Sequence, residues 1–441
     1  RCINLKSVKF EEGSILRKIG KKAFSGQVES IKIPSSVCSL DSEWMMEMKN
    51  LKTVIIEAEN SFYKSFCDDK LIVRKSSFLN KDFDVLSFAA KDIVNVNLPS
   101  SVEVINKFAF QGCQNLVQID FQSDSKIKSI EDSAFDGTKI ERIKLPASLS
   151  SLSSSWSFGM NCLSSIEISP ENKTYISYDN KFVLTKSSIE KETFDFLVSS
   201  VRDKMPVCTI PNFIEIIGPT SFAGIKSIEK VEFTSDSNLR IIREGAFCLT
   251  TIKSFSIPKS VTLISQEAFS YSNISTLSFP ADSLLETIGQ KAFMSTSIKS
   301  LTIPSNVSFI GAFSFANCKC LEKVEISKNN RVLKKLEKKL FYDSGIKTLS
   351  ISPHITTIGE SCFKNCQYLV SVDIPDDSEL QVIEKDAFNS SKIERFTIPH
   401  HLTTICEYAF YQCSKLTRVD FAPNSELKTI KSFAFGSTKI Q

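Results

Sequence analysis

The stretch Ile257-Pro258-Lys259-Ser260-Val261-Thr262-Leu263-Ile264-Ser265-Gln266-Glu267-Ala268-Phe269, continued by Ile274, Leu277 and Phe279, decides the fold. It is one copy of a unit that returns along the chain. Its Ala-Phe word, or a close variant, recurs at Phe24, Phe110, Phe135, Phe222, Phe247, Phe269, Phe293, Phe315, Phe341, Phe363, Phe388, Phe410 and Phe435. A regular period within the range of roughly 20–29 residues marks a solenoid, in which each unit is too small to bury its own apolar face and stacks on its neighbours. Chemistry needs unlike residues converging on one point, whereas a solenoid presents a long graded surface. The period therefore points to binding or scaffolding and leaves the partner unnamed.

The units come in two alternating forms. The short form ends its strand at a proline (Pro34, Pro99, Pro146, Pro258, Pro304, Pro399), where a missing N–H stops the ladder. The long form inserts a polar turn, as at Asp124-Ser125, Asp236-Ser237, Asp282-Ser283, Asp377-Ser378 and Asn424-Ser425. The repeating pair is about 47 residues long, twice the length of a single coil. Stretches such as Leu116-x-x-Ile119-x-Phe121 and Leu416-x-x-Val419-x-Phe421 end in strand-like alternation. Val102, Ile105, Ala109 and Phe110 follow three- and four-residue spacing, which predicts a short helical or 3₁₀ turn before the Phe. The expected class is an α/β repeat: a leucine-rich-repeat solenoid with a parallel concave sheet, short helical or 3₁₀ convex turns, and two β-hairpin insertions.

The string Ile-Pro-x-x-Val-x-x-Ile-Gly-x-x-Ala-Phe-x-x-Cys-x-x-Leu-x-x-Val resembles the BspA-type leucine-rich repeat. Its Gly is kept at Gly20, Gly218, Gly289, Gly311 and Gly359. The resemblance spans most of the chain. It implies a surface or secreted protein of the kind found in oral bacteria and anaerobic protists, where members adhere to host matrix proteins and cells.

The chain has 441 residues, and the period overrides any division by length: residues 1–441 are expected to form a single elongated solenoid. It starts at Arg1 and stops at Gln441 inside repeats, so it reads as a fragment of a longer protein. No apolar run approaches the ~20 residues that cross a bilayer, so no membrane span is expected within the fragment. With 54 basic against 50 acidic residues there is no basic excess of the kind nucleic-acid binding uses. The 34 Phe against 8 Tyr and 2 Trp read as a buried spine, since interface hot spots favour Tyr, Trp and Arg. Four of the 13 Cys (Cys113, Cys318, Cys366, Cys413) sit three residues after the repeat Phe, a slot held elsewhere by Thr138, Thr250, Thr296, Ser391 and Thr438. That is a small buried slot. Successive cysteines in it stand at least two coils apart, roughly 10 Å at sheet spacing, beyond disulfide reach. The redox compartment stays open.

The period fails twice, by the same length each time: between Met45 and Phe110, and between Ser157 and Phe222. The two insertions, about 58–97 and 170–209, match each other, and Trp44 and Trp156 precede them at equivalent positions. Each reads as a hairpin, 71–74 with 85–88 and 182–185 with 194–198. Insertions on one face often build binding sites; the plainer alternative is that each Trp packs a hairpin base against a coil. Lys70, Arg74, Lys181 and Lys186 are the insertion candidates.

On the concave strands the outward position is acidic in long units (Asp120, Glu167, Glu232, Glu325, Asp373, Asp420). In short units it is basic or hydroxylic (Lys144, Ser256, Ser278, Thr302, Ser350, Thr397). These are candidate contacts for a protein partner, with Lys144 the basic member. Spacing like charges apart on adjacent strands accounts for the alternation equally well. No catalytic centre is expected, because a solvated strand face offers neither a shifted carboxylate nor a pocket. No cofactor or metal is expected: His354, His400 and His401 lie in surface turns with no other His nearby. Cys318-x-Cys320 and Cys362-x-x-x-Cys366 fall on repeat slots and read as core. Lys334–Lys339 reads as a solvated helix face or a local anionic contact. Sequons at Asn172, Asn273, Asn306 and Asn389 barely inform on secretion. The expected function is non-enzymatic protein binding, as a cell-surface or secreted adhesin or receptor-like protein. The alternative is an intracellular, cytoplasmic or cytoskeletal scaffold within a larger assembly.

Overall fold

The structure is a computed structural model that describes residues 3–441. The chain forms two compact units, which divide between Lys204 and Met205. Both are parallel-strand solenoids in which each coil supplies one longer and one two-residue strand.

In the first unit the longer strands pair in parallel: Ser30–Ile33 with Thr53–Ile56, Asn95–Asn97 with Gln118–Asp120, and Arg142–Leu145 with Ser165–Ile168. Their alternate residues are buried, as Ile143 and Leu145 are between exposed Arg142 and Lys144. The two-residue strands Val104–Ile105, Ser129–Ile130 and Ser151–Leu152 form a second parallel ladder. The second unit repeats this plan. Val207–Ile210, Lys230–Phe233, Ser254–Ser256 and Thr276–Ser278 make one parallel sheet, and Ser300–Ile303, Lys323–Ile326, Thr348–Ser350 and Ser371–Asp373 another. The prolines do what their missing N–H predicts. Strands such as Ser300–Ile303 stop just before Pro304, whose carbonyl then accepts from Val307 N–H at 3.4 Å to turn the chain.

The expected helical or 3₁₀ turns are absent: among the described residues there is no helix. Val104–Ile105 is strand, and the segment around each Phe is a run of turns. The reason lies in the backbone. Residues two before and two after the repeat Phe take left-handed φ, as at Glu267 (φ 56) and Tyr271 (φ 56) around Phe269. Alternating hand cannot propagate a helix. Every second N–H instead crosses to the next coil: Glu267 to Gln290 O (2.9 Å), Phe269 to Ala292 O (2.8 Å) and Tyr271 to Met294 O (2.8 Å). The N–H groups between them close local turns, as Ser270 does on Glu267 O at 3.0 Å.

The repeat Phe side chains form the spine. In the second unit Phe222, Phe247, Phe269, Phe293, Phe315, Phe341, Phe363, Phe388, Phe410 and Phe435 stack near-parallel, centroids 4.8–5.7 Å apart. In the first unit Phe110 stacks on Phe135 at 5.2 Å.

The slot three residues beyond the Phe is buried, as expected, and it is also a hydrogen-bonding column. Thr138, Thr250 and Thr296 donate to the carbonyl of their own coil's Phe at 2.9 Å, while the Cys318, Cys366 and Cys413 thiols donate to the previous coil's Phe carbonyl at 3.1–3.2 Å. None of the described cysteines forms a disulfide, and Cys2 lies outside the described residues. Burial pushes the Cys113, Cys318 and Cys413 thiols up to about 11 and Cys366 to about 12, and it also raises Cys362. The thiolate is the nucleophile, so these groups are inert while folded. Iodoacetamide at about pH 8 is therefore expected to label exposed Cys67 and Cys320 and to spare Cys318, Cys362, Cys366 and Cys413 until the chain is denatured. Mass spectrometry of the peptides reads this directly; native labelling of Cys366 would contradict the buried column.

Each insertion contains the expected antiparallel pair and one strand more. Tyr63–Phe66, Leu71–Arg74 and Val85–Ala89 form an antiparallel meander, as do Ile176–Tyr178, Phe182–Thr185 and Phe196–Ser200. Val85–Ala89 also pairs in parallel with Val104–Ile105, so the first insertion is the continuation of the short-strand ladder. Trp44 and Trp156 are buried and meet Phe24 and Phe135 edge-on in the same geometry, 6.3 Å and 87° in both.

The duplication has matched polar anchors as well. Asn60 Nδ2 donates to Pro34 O and Val37 O, and its Oδ1 accepts from Phe62 and Tyr63 N–H. Asn172 does the same to Pro146 O, Leu149 O, Thr174 N–H and Tyr175 N–H. The Tyr63 and Tyr175 hydroxyls accept from Leu40 and Leu152 N–H at 2.8 and 3.0 Å. Asn172 is therefore committed to the core, which bars its sequon from a glycan in the folded chain. Asn273 and Asn306 are exposed.

Candidate binding surface

The outward positions of the longer strands fall into the expected rows. Glu325 registers with Thr302 on one side and Ser350 on the other, and Ser350 with Asp373. Thr397 registers with Asp420, and Lys144 with Glu167. Like charges are thus kept off adjacent strands, which removes the repulsion that facing carboxylates would suffer.

Most of these carboxylates are already engaged. Glu232 pairs with Lys230 at 2.7 Å, Glu325 with Lys323 at 2.5 Å and Asp420 with Arg418 at 2.7 Å. Asp120 accepts from Gln118 Nε2 at 2.7 Å and Asp373 from Ser350 Oγ at 3.2 Å. The donor is usually the residue two earlier on the same strand, hence on the same face. Such exposed pairs contribute little to stability, but they neutralise the surface locally.

The first unit differs. Lys139, Glu141, Arg142, Lys144 and Glu167 are exposed and form no ion pair with one another or with any other described residue. With Asp120 they line a shallow cavity of about 430 Å³ on the longer-strand face. Unpaired charges of both signs around one depression can offer their full hydrogen-bonding capacity to a polar protein surface.

The insertion candidates do not converge. Lys70 pairs with Asp92 at 3.2 Å, and Arg74 Nη1 donates to Lys75 O at 2.9 Å. Lys181 pairs with Asp179 at 2.6 Å, and Lys186 Nζ lies 5.5 Å from the Phe194 ring centroid. The lysine-rich stretch is not a helix face. Lys335–Leu336 is strand, and Lys334, Lys335 and Lys338 pair with Glu379, Glu384 and Glu360 at 3.1, 2.9 and 2.9 Å. Lys339 stands 5.1 Å over the Phe313 ring.

The structure also brings together what the sequence keeps apart. Glu426, one coil beyond His401, folds back onto the His400-His401 pair. No sequence signal marks this, because neighbouring coils align turn on turn only once the register is known.

The BspA type Leucine rich repeat region matches this chain in six copies, over residues 1–71, 82–205, 187–322, 286–399 and 334–441. No curated protein matches it. Among solved structures, the chain is similar to a leucine-rich repeat protein from Bacteroides ovatus at 20% identity, covering 85% of this chain and 90% of that one, with a TM-score of 0.51. It is also similar to the pneumococcal vaccine antigen PcpA at 17% identity, over 94% of this chain and 84% of that one, with a TM-score of 0.44. A leucine rich cell surface protein from Faecalibacterium prausnitzii is 19% identical, over 92% of this chain and 83% of that one, with a TM-score of 0.32. At 20% identity the likeness to the Bacteroides ovatus protein speaks to fold alone. The recurrence of one repeat type along the coils is the stronger result, and by it the chain belongs to the BspA-type leucine-rich-repeat family.

Proposed function

We propose that this chain is a non-enzymatic protein-binding solenoid of a cell surface, contacting host or matrix protein through the longer-strand face of its first unit. The observation that carries the reading is the cavity where Lys144, Glu167, Arg142 and Glu141 stand exposed and unpaired beside Asp120. Elsewhere on the same kind of face the carboxylates are closed by their own strand neighbours. The family supports binding over catalysis.

The test is binding to an immobilised extracellular-matrix preparation by surface plasmon resonance. Reversing Asp120, Lys144 and Glu167 together is expected to weaken binding by about tenfold, worth roughly 1.4 kcal/mol. The melting temperature should not fall, because all three are exposed. Reversing Glu232 and Asp420 should cost less, since Lys230 and Arg418 already engage them. Equal losses from both sets would shift the site, and no loss from either would remove the face from consideration.

A second reading, an intracellular scaffold, draws on the described cysteines, none of which is in a disulfide, as suits a reducing compartment. Antibody labelling of intact and permeabilised cells separates the two. Signal only after permeabilisation would exclude the surface reading.

A further inference from the structure

We infer that His400, His401 and Glu426 form a transition-metal site on the second unit. Their ligand atoms all lie within 4.8 Å of one another. Glu426 Oε2 is 3.3 Å from His401 Nδ1, and Oε1 is 4.0 Å from His400 Nε2. Two donors about 2.0–2.2 Å from a tetrahedral zinc ion stand roughly 3.4 Å apart, so small rotations of these surface side chains close the set.

The tautomer of His400 is fixed by its neighbour. His400 Nδ1 lies 3.1 Å from the Pro423 carbonyl oxygen, which can only accept, so Nδ1 carries the hydrogen. In the neutral ring Nε2 then turns its lone pair toward a carboxylate oxygen 4.0 Å away, two acceptors facing each other. A cation between them resolves that conflict. A backbone carbonyl holding the far N–H of a ligating imidazole is also the usual outer support of a metal site.

The repeat supplies an internal comparison. One two-coil period earlier, His354 Nδ1 meets Glu379 Oε1 at 2.7 Å, as His401 meets Glu426. There the carboxylate's other oxygen is held by Lys334 at 3.1 Å, and Pro353 stands where the later pair has His400. In the later period Gln381 replaces that lysine, and no described Lys or Arg pairs with Glu426. A cationic side chain has been exchanged for a second imidazole. Two nitrogens and one carboxylate favour zinc, nickel or copper over magnesium or calcium, which take oxygen sets.

The experiment is calorimetric titration of tag-free chain with zinc chloride, after native iodoacetamide treatment has blocked the exposed thiols. One zinc is expected to bind, and His400→Ala, His401→Ala and Glu426→Gln should each weaken it by at least about tenfold. His354→Ala and Glu379→Gln should leave affinity unchanged. Cobalt(II) should give a d–d spectrum that the first three variants lose. Melting curves of the metal-free variants should match the parent, since all three side chains reach the surface. Absence of binding, or equal effects of the His354 and His401 variants, would overturn the site.

Discussion

Phe269→Ala is expected to destabilise the chain by about 3–5 kcal/mol, the range for truncating a buried aromatic. The Phe269 ring is fully buried and stacks between Phe247 and Phe293, at 5.2 and 5.1 Å, with Phe255 edge-on at 4.8 Å. Removing it strips one partner from three aromatic contacts and leaves a void that rigid coil backbones cannot collapse. The backbone is a clean control. Phe269 N–H bonds Ala292 O through the main chain, so substitution spares the inter-coil hydrogen bond and isolates the ring. Phe309, half exposed on a short strand, should lose less than about 1 kcal/mol on the same change. Stability in a solenoid is set by nearest-neighbour coupling, so the damage should weaken the coils on either side of Phe269 first. Urea denaturation followed by far-UV circular dichroism measures both variants. A loss below about 1 kcal/mol at Phe269 would mean that the stacked rings are not the spine.

How much of this is legible in the sequence depends on whether a residue's role is set by its own coil. The Phe column, the proline stops and the Cys/Thr/Ser slot are each fixed by a position in the repeat, and the structure places them as the period implies. The turns depart from expectation because two patterns share one spacing. Val102, Ile105, Ala109 and Phe110 follow helical spacing, yet Phe108 at φ 62 and Gly112 at φ 72 break the hand of the chain. Equivalent positions two before the Phe hold Ser133, Thr220, Glu267 and Lys291, so the Gly and Asn found at others, such as Gly245, Gly137 and Asn317, are too irregular to announce the column. Their conformation is imposed by the hydrogen bonds their N–H groups donate to the next coil, a tertiary override of local preference. The third insertion strands, Tyr63–Phe66 and Ile176–Tyr178, escape a reading of the sequence because they are short and half polar. On the candidate face, Lys230-Val231-Glu232 and Arg418-Val419-Asp420 carry their pairing in plain sight, since strand residues two apart share a side. The open charges around Lys144 and the His400–His401–Glu426 cluster need the register between coils, which one sequence does not contain.

Asn330→Leu is expected to cost about 3–5 kcal/mol, although the substitution makes a buried residue more apolar. Asn330 is fully buried and its amide is used on both sides. Nδ2 donates to Pro304 O and Val307 O, both at 2.9 Å, which ties the coil to the proline turn of the previous one. Oδ1 accepts from Leu333 N–H at 2.9 Å and Val332 N–H at 3.2 Å, which shapes its own turn. Leucine of similar size fills the space and strands the Leu333 N–H and the Val307 carbonyl away from water, each at about 1–3 kcal/mol, while half-exposed Val332 loses its N–H partner at the rim of the turn. Pro304 O is spared, because Val307 N–H also reaches it. Leucine's extra apolar burial returns only part of that loss. Asn330→Asp separates the two halves of the network. It keeps the acceptor for Val332 and Leu333 but sets an unpaired charge against two carbonyl oxygens, so it should be no milder than leucine at neutral pH. Leucine at the adjacent, exposed Asn329 should change stability by less than about 0.5 kcal/mol. The same logic carries to Asn60 and Asn172, where the anchor stands at the root of each insertion. If Asn330→Leu unfolds at the parent's urea midpoint, the coils are joined by apolar stacking alone, and the shared geometry of the three asparagines is incidental to how the turns hold.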